Sequence, residues 1–209
     1  MRLCIQRPRE ARAFLSRQEG VAAVEFAMVL PFLVILYFGL FELTQAIDFS
    51  RKTTLFARSV ADLTGQAPGK PVGTLSAQDM SDIFAGATAI FSPFDANDIQ
   101  VVVNALGVNL IDGSLVGRVC SSYAHNASPR PPLQVAGTNG LPDIPATQNF
   151  DGGRYLLVEV KAAYAPLIGS RLYTFIFGRP GLTVTRQTPW AARNGEVALP
   201  PKLSPCPKT

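Results

Sequence analysis

The sequence predicts an α+β fold: one membrane-crossing helix that continues as a helical extension, followed by a helix and an antiparallel sheet of about four strands. Three observations predict it. An apolar run fills Val21 to Leu43, a helical stripe carries on beyond it to Leu63, and three later segments alternate apolar and polar residues around an Asp-Gly turn signal.

The run from Val21 to Leu43 holds charges only at Glu25 and Glu42. It is long enough for a tilted helix to cross a hydrocarbon layer of roughly 30 Å. Arg2, Arg7, Arg9, Arg12 and Arg17 precede it against Glu10 and Glu19, whereas Arg51, Lys52 and Arg58 on the far side are mixed with Asp48 and Asp62. The basic excess favours an N-terminus in the cytoplasm and the remainder outside. A cleaved secretory signal, with Thr44-Gln45-Ala46 as its cleavage site, is the competing reading. It fits less well, because secretory apolar cores run roughly 7 to 15 residues. Cys4 lies before the run and so does not suit a lipoprotein signal.

Beyond Leu43 the stripe Phe49, Phe56, Val60 and Leu63 keeps helical spacing, with Arg51, Lys52, Arg58 and Asp62 elsewhere on the wheel. Gly65, Pro68, Gly69 and Pro71 end it. A single helix from Val21 to Thr64 would be about 66 Å long; two helices with a break near Thr44 are the alternative. Pro31 removes the donor that the Ala27 carbonyl would use, so a kink is expected there.

The domain organisation expected is a basic leader (1–20), the span (21–43), the helical extension (44–64), a linker (65–75), an α+β domain (76–199) and a proline-rich tail (200–209). Ser76 opens a capping-box-like Ser-Ala-Gln-Asp, and Met80, Ile83, Phe84, Ala87, Ile90 and Phe91 form one apolar helical face. Ile99, Val101, Val103 and Ala105 alternate as a strand does. Asp112-Gly113 is a two-residue hairpin signal, and Leu115 to Tyr123 returns beside the first strand. Tyr155 to Tyr164 is a third strand, with Leu156, Val158, Val160 and Ala162 inward and Glu159 and Lys161 outward. Leu182 to Thr188 is a weaker fourth. Pro129, Pro131, Pro132, Pro142 and Pro145 mark a long loop over 124–152, expected to lack structure or to bind something. The stretch from Pro166 to Phe177 reads equally as helix, strand or exposed contact patch. The tail is expected to be extended.

The cysteines fit this topology. Cys4 stays on the reducing side, while Cys120 and Cys206 share the oxidising side, where they either bridge or remain two thiols. A bridge would tie the tail to the sheet.

Composition gives enzyme chemistry little support, and no cofactor is expected. His125 is the only histidine, so a multi-histidine metal site is out of reach, and no metal is expected. A Cys120–His125 pair would lie at a loop expected to be flexible and would need a cysteine that a bridge to Cys206 would consume. Gly65 to Pro71 has the outline of a phosphate loop but lacks its spacing and its final Ser or Thr. Asp95, Asn97 and Asp98 lack the glycine and distant glutamate of a calcium loop, and turn chemistry explains them better. The net charge of +4 falls to about +1 once the first 20 residues are removed, which argues against nucleic-acid binding.

Gly20 before Val21, Glu25 with Phe26 beside it, Pro31 within the run, and Gly39 with Glu42 near its end form one pattern. It resembles the TadE-like pilus-assembly pseudopilins of tight-adherence (Flp-type) pilus systems, closely over about residues 17 to 64. The resemblance implies a prepilin-type leader cut between Gly20 and Val21, a pilin-like helical spine and a non-enzymatic minor pseudopilin of pilus biogenesis and adherence. It further implies a bacterial inner-membrane protein with a periplasmic domain. Its implied partners are a prepilin peptidase, the Flp pilin, other Tad pseudopilins and the inner-membrane assembly platform with its ATPase. Cleavage would give Val21 an ammonium one helical turn from the Glu25 carboxylate. Burying either charge alone in lipid is costly, so their pairing, within one chain or between chains, would select register. The alternative is an uncleaved, signal-anchored envelope protein with a periplasmic binding domain.

Overall fold

Helix-compatible residues without a break stronger than Pro31 give one helix, α1, over Glu19–Gly65. In this computed structural model, residues 19–69, 72–166, 170–178, 181–193, 195–201 and 206 are described; the leader and most of the tail lie outside them. The chain divides into two units, Met1–Thr44 and Gln45–Thr209. The border falls inside α1, so residues 45–65 of the helix belong to the same unit as the sheet.

In the first unit every residue from 21 to 40 is exposed, Phe32 at 74% and Ile35 at 71% among them. The helix is long and apolar enough to cross a membrane once. Pro31 lies inside it, and no break occurs near Thr44.

In the second unit, α1 supplies Phe49, Phe56 and Val60 to the core together with Ala57, Ala61 and Thr53. The Thr53 hydroxyl is satisfied by donating to the Phe49 carbonyl at 2.8 Å. Leu63, expected in this stripe, is 39% exposed. Ala57, Ala61 and Thr64 are fully buried, so the buried arc turns toward Thr64 and leaves Leu63 at its edge.

Strand β1 (Val72–Thr74) precedes helix α2 (Ala77–Thr88). The reciprocal capping box forms: Ser76 Oγ accepts from the Asp79 amide at 3.1 Å, and Asp79 Oδ2 accepts from the Ser76 amide at 2.8 Å. Helix α2 buries Met80, Phe84 and Ala87. A 3₁₀ turn, Ala89–Phe91, then inserts Phe91 against Phe49 and Phe56.

The main sheet consists of β2 (Gln100–Ile111), β3 (Ser114–His125), β4 (Arg154–Tyr164) and β5 (Leu182–Ala191). Its order is β3-β2-β4-β5, antiparallel throughout. Asp112 and Gly113 both have positive φ, 51° and 78°, as the two-residue hairpin turn requires. A bulge at Cys120 lets β3 follow β2 over their full length, with Ala105 opposite Ser121 and Leu106 opposite Val119. The ambiguous stretch contains helix α3 (Ser170–Phe177). A second sheet, not foreseen, pairs β1 in parallel with β6 (Glu196–Ala198), so the expected linker carries a strand.

One face of the main sheet carries Val101, Val103, Leu156, Val158 and Val160 against α1 and α2. The other face buries Leu106, Val108, Val119, Tyr155 and Leu157 beneath Leu141, Ala136 and Ile144 of the proline-rich loop. The loop is therefore structured, contrary to expectation. It forms an antiparallel bridge from Val135 to Arg118, a 3₁₀ turn at Ala146–Gln148 and a hydrogen bond from the Leu133 amide to the Val119 carbonyl at 2.8 Å. The cause is that the first half of β4 is apolar on both sides, and the uncovered side needs a lid.

Candidate functional site

The sequence placed its site on two parts of the chain, and each part lies within one unit. On the first unit, Gly20 and Val21 fall in the opening turn of α1, with Val21 59% exposed. Glu25 follows Val21 by one turn on the same helical face, and it is the only acidic or basic residue between Val21 and Phe41. Its side chain meets no ion-pair partner among the described residues, and Phe26 beside it is 60% exposed. A carboxylate alone among apolar side chains has two low-cost states: at a water boundary, or paired with a cation.

The second unit carries the other features. Cys120 and Cys206 are joined in a disulfide with their Cα atoms 4.8 Å apart. The bulge exposes Cys120 to the tail, and Gly107 on the neighbouring strand leaves the room: a Cβ added there would stand 2.7 Å from the Cys206 sulfur. Glu196 fixes both sides of this junction. Its carboxylate accepts from the Cys206 amide and pairs with Arg154 at 3.4 Å. The Leu199 amide donates to Ser121 Oγ at 3.0 Å. The expected tail pinning is therefore present at Cys206, while Pro205 and Pro207 lie outside the described residues.

A polar network holds the loop to the sheet. Arg130 donates from Nε to Glu159 Oε1 at 2.9 Å and from Nη2 to Oε2 at 2.6 Å, and from Nη1 to the Asn139 carbonyl at 2.7 Å. Asn104, fully buried, donates to Glu159 at 2.8 Å and accepts from Ser122 at 2.9 Å. Glu159 therefore faces inward under the loop, not outward as the simple alternation of β4 suggested. The hydrogen bond to Glu159 raises the Arg130 pKa further above its ordinary value.

The remaining candidates separate. His125 ends β3 and lies 5.3 Å, ring to ring, from Phe84, while Cys120 is committed to Cys206. Asp95 accepts from the Asn97 amide at 2.9 Å, which is turn chemistry. Among the described residues no cluster of His, Cys, Asp and Glu has the makings of a metal site. Gly65 closes α1 by accepting from the Arg193 amide at 3.0 Å, and Lys70 and Pro71 of the loop-like motif lie outside the described residues. A cavity of about 460 Å³ is bordered by Phe49, Phe94, Asp95, Asp98 and Tyr164.

The model of the TadE-like protein family matches residues 20–62. That segment is TadE-like. The match opens at Gly20, takes in Glu25 and Pro31, and ends within the last turn of α1, so every described strand lies beyond the TadE-like segment. No curated protein and no solved structure matches the chain. The TadE-like assignment points to a protein associated with a Tad pilus. The hairpin and the possibility of a bridge were readable in the sequence, but not the Arg130–Glu159 network, whose members are ordinary charged residues 29 positions apart.

Proposed function

We propose that this chain is a non-enzymatic minor pseudopilin of a Tad (Flp-type) pilus, anchored by α1 in a bacterial inner membrane with residues 45–209 in the periplasm. The observation that carries the proposal is Glu25. It is a lone carboxylate on an exposed apolar helix, one turn from Val21, inside a TadE-like match that starts at the residue before Val21.

Cutting after Gly20 leaves Val21 with an ammonium. Uncompensated, that charge opposes the positive N-terminal end of the helix, and Glu25 counters both. In lipid, pairing with the Val21 ammonium of the same chain or a neighbour removes the penalty of an isolated charge, so correct register is favoured when helices dock. In this reading the prepilin peptidase creates the cation, the assembly platform and sister pseudopilins receive the helix, and the Flp pilin follows. The disulfide and the covered sheet suit an oxidising compartment. The 45–65 half of α1, packed on its sheet, supplies the stiff spine.

N-terminal sequencing of protein extracted from membranes tests this directly. A start at Val21 is expected. An intact leader would replace the proposal with a signal-anchored envelope protein, and a start at Ile47 with a secreted one.

A further inference from the structure

We infer that the free edge of β5 receives an extended, acidic segment of a partner protein as a further strand, with a carboxylate of that segment held by Arg58 and Arg186. Every residue involved belongs to the second unit, so the inference stands whether or not the leader is cut. The two edges of the main sheet differ. Along β3 the proline-rich loop takes the edge: the Leu133 amide donates to the Val119 carbonyl at 2.8 Å, the Val119 amide to the Gln134 carbonyl at 3.0 Å and the Ala136 amide to the Gly117 carbonyl at 2.9 Å. Along β5, the other outer strand, no backbone hydrogen bond joins the side away from β4 among the described residues.

An open edge is a template for pairing, and folds blunt it with a bulge, a lysine or a very short strand. Strand β5 has none of these. It runs for 10 residues, keeps unbroken register with β4 from Leu182 to Ala191, and carries Thr183, Val184, Thr185 and Thr188, whose branched side chains suit a strand. Pro189 lacks an amide hydrogen and blocks only the end of the edge, so 182–188 stays open.

Charge names the occupant. A cavity of about 440 Å³ is bordered by residues 186–190 of β5 and by Thr54 and Arg58 of α1. Arg186 is fixed there, donating from Nε to Thr54 Oγ1 at 3.1 Å and from Nη2 to Ser50 Oγ at 2.6 Å, while Arg58 is exposed. Neither guanidinium is ion-paired among the described residues. Asp62, one turn beyond Arg58, is engaged by Arg193 at 2.6 Å, and Glu159 by Arg130. Two guanidiniums bordering one cavity without a counter-charge suit a carboxylate. The chain's own segments do not supply it. Residues 200–209 hold Lys202 and Lys208 with no acid, residues 1–20 hold five arginines against two glutamates, and β5 of a second copy would bring another Arg186 and no acid. An acidic strand from a partner satisfies the edge and the cavity together.

Full-length protein in detergent is titrated with blocked, fluorescent peptides of alternating Thr and Val whose central residue is either Glu or Lys. The Glu peptide is expected to bind and to slow amide hydrogen exchange over 182–188. Arg58→Glu should weaken its binding about tenfold and make the Lys peptide bind more tightly than it does to the unaltered protein. Arg58→Ala, expected to weaken the Glu peptide about threefold, serves should the charge reversal fail to fold. Methylating every backbone nitrogen of the Glu peptide should abolish binding, because a strand pairs through those amides. Failure of the Glu peptide to bind at about millimolar concentration overturns the inference. Binding that survives methylation, or that leaves exchange over 182–188 unchanged, overturns strand addition. Equal binding of the Glu and Lys peptides to the unaltered protein overturns the acidic partner.

Discussion

Arg130 and Glu159 are joined by two parallel hydrogen bonds, at 2.9 and 2.6 Å, across the gap between the proline-rich loop and the middle of β4. Each side chain is largely but not wholly shielded, 20% and 14% exposed. The pair converts a segment with almost no secondary structure of its own into a lid over Leu106, Val108 and Leu157. Arg130→Ala leaves Glu159 with Asn104 and Gln187 but without its cation. The expected cost is about 2 kcal/mol after allowing for residual exposure. Thermal unfolding of the variant should show a Tm lower by roughly 4–8 °C, with faster proteolysis inside 126–153. Unchanged protease resistance would mean that apolar contacts alone hold the lid.

The disulfide closes a separation of 86 residues. In the chain-entropy picture such a link contributes about 4–5 kcal/mol, an upper-end value. Denaturant unfolding with and without reductant measures it, and labelling of the native protein should find neither Cys120 nor Cys206 reactive before reduction. Gly107→Ala forces a methyl group against the Cys206 sulfur and the Arg154 guanidinium. It should lower stability by about 1–3 kcal/mol, with much of that loss absent once the bridge is reduced.

Two groups set opposite pH limits. Hydrogen bonds from the Ser76 backbone and then its side chain hold the Asp79 carboxyl below its ordinary 3.8. Its contribution is thus present above about pH 4 and is lost as the pH falls through the lower folded value. Asp79→Asn should flatten the acid limb of the stability curve. Burial pushes the Tyr155 phenol from 10.0 up to about 12. Its contribution is present below pH 10 and is lost between there and about 12, because only the unfolded chain ionises in that window. Tyr155→Phe should reduce the alkaline loss, and a phenolate absorbance titration that placed this group near 10 would contradict the burial argument.

Glu25→Ala separates insertion from assembly. Membrane association should be unchanged or slightly stronger, since a charge is removed from the apolar run. Pilus production and co-purification of partner pseudopilins should fall sharply. Normal fibres from this variant would sink the charge-pair role while leaving the membrane span intact.

Phe49→Ala removes the ring that meets Phe91, Phe94 and Tyr164. A loss of about 3–5 kcal/mol is expected, measured by denaturant unfolding. A cost near 1 kcal/mol would show that the 45–65 half of α1 is only loosely committed to its sheet.

Local signals were the legible ones. The Ser76 capping box and the Asp112-Gly113 turn each depend on two or three neighbouring residues, so spacing alone predicts them. The cysteine bridge was one of two readings that the expected topology left open, and the structure has it. The long helix was legible because its period persists through Leu43. Long-range pairing was not. Strands β1 and β6 are three residues each and have no periodicity to show, and they find each other only after the whole sheet lies between them. The loop looked formless because its order is imposed from β4. There, the run Tyr155-Leu156-Leu157-Val158 is apolar on both faces, a continuous pattern that already implied a second covering layer. Leu63 shows the limit of periodicity: the wheel names the apolar side, but the buried arc runs through Ala57, Ala61 and Thr64 and passes it by.

Pairing β1 with β6, and Cys120 with Cys206, has a consequence for biosynthesis. A chain that leaves the ribosome from its N-terminus presents β1 long before its partner strand exists, and the fold cannot close until residues 196–206 arrive. Nascent forms therefore carry an unpaired β1 edge until then, and a truncation before Glu196 would remove both halves of the latch.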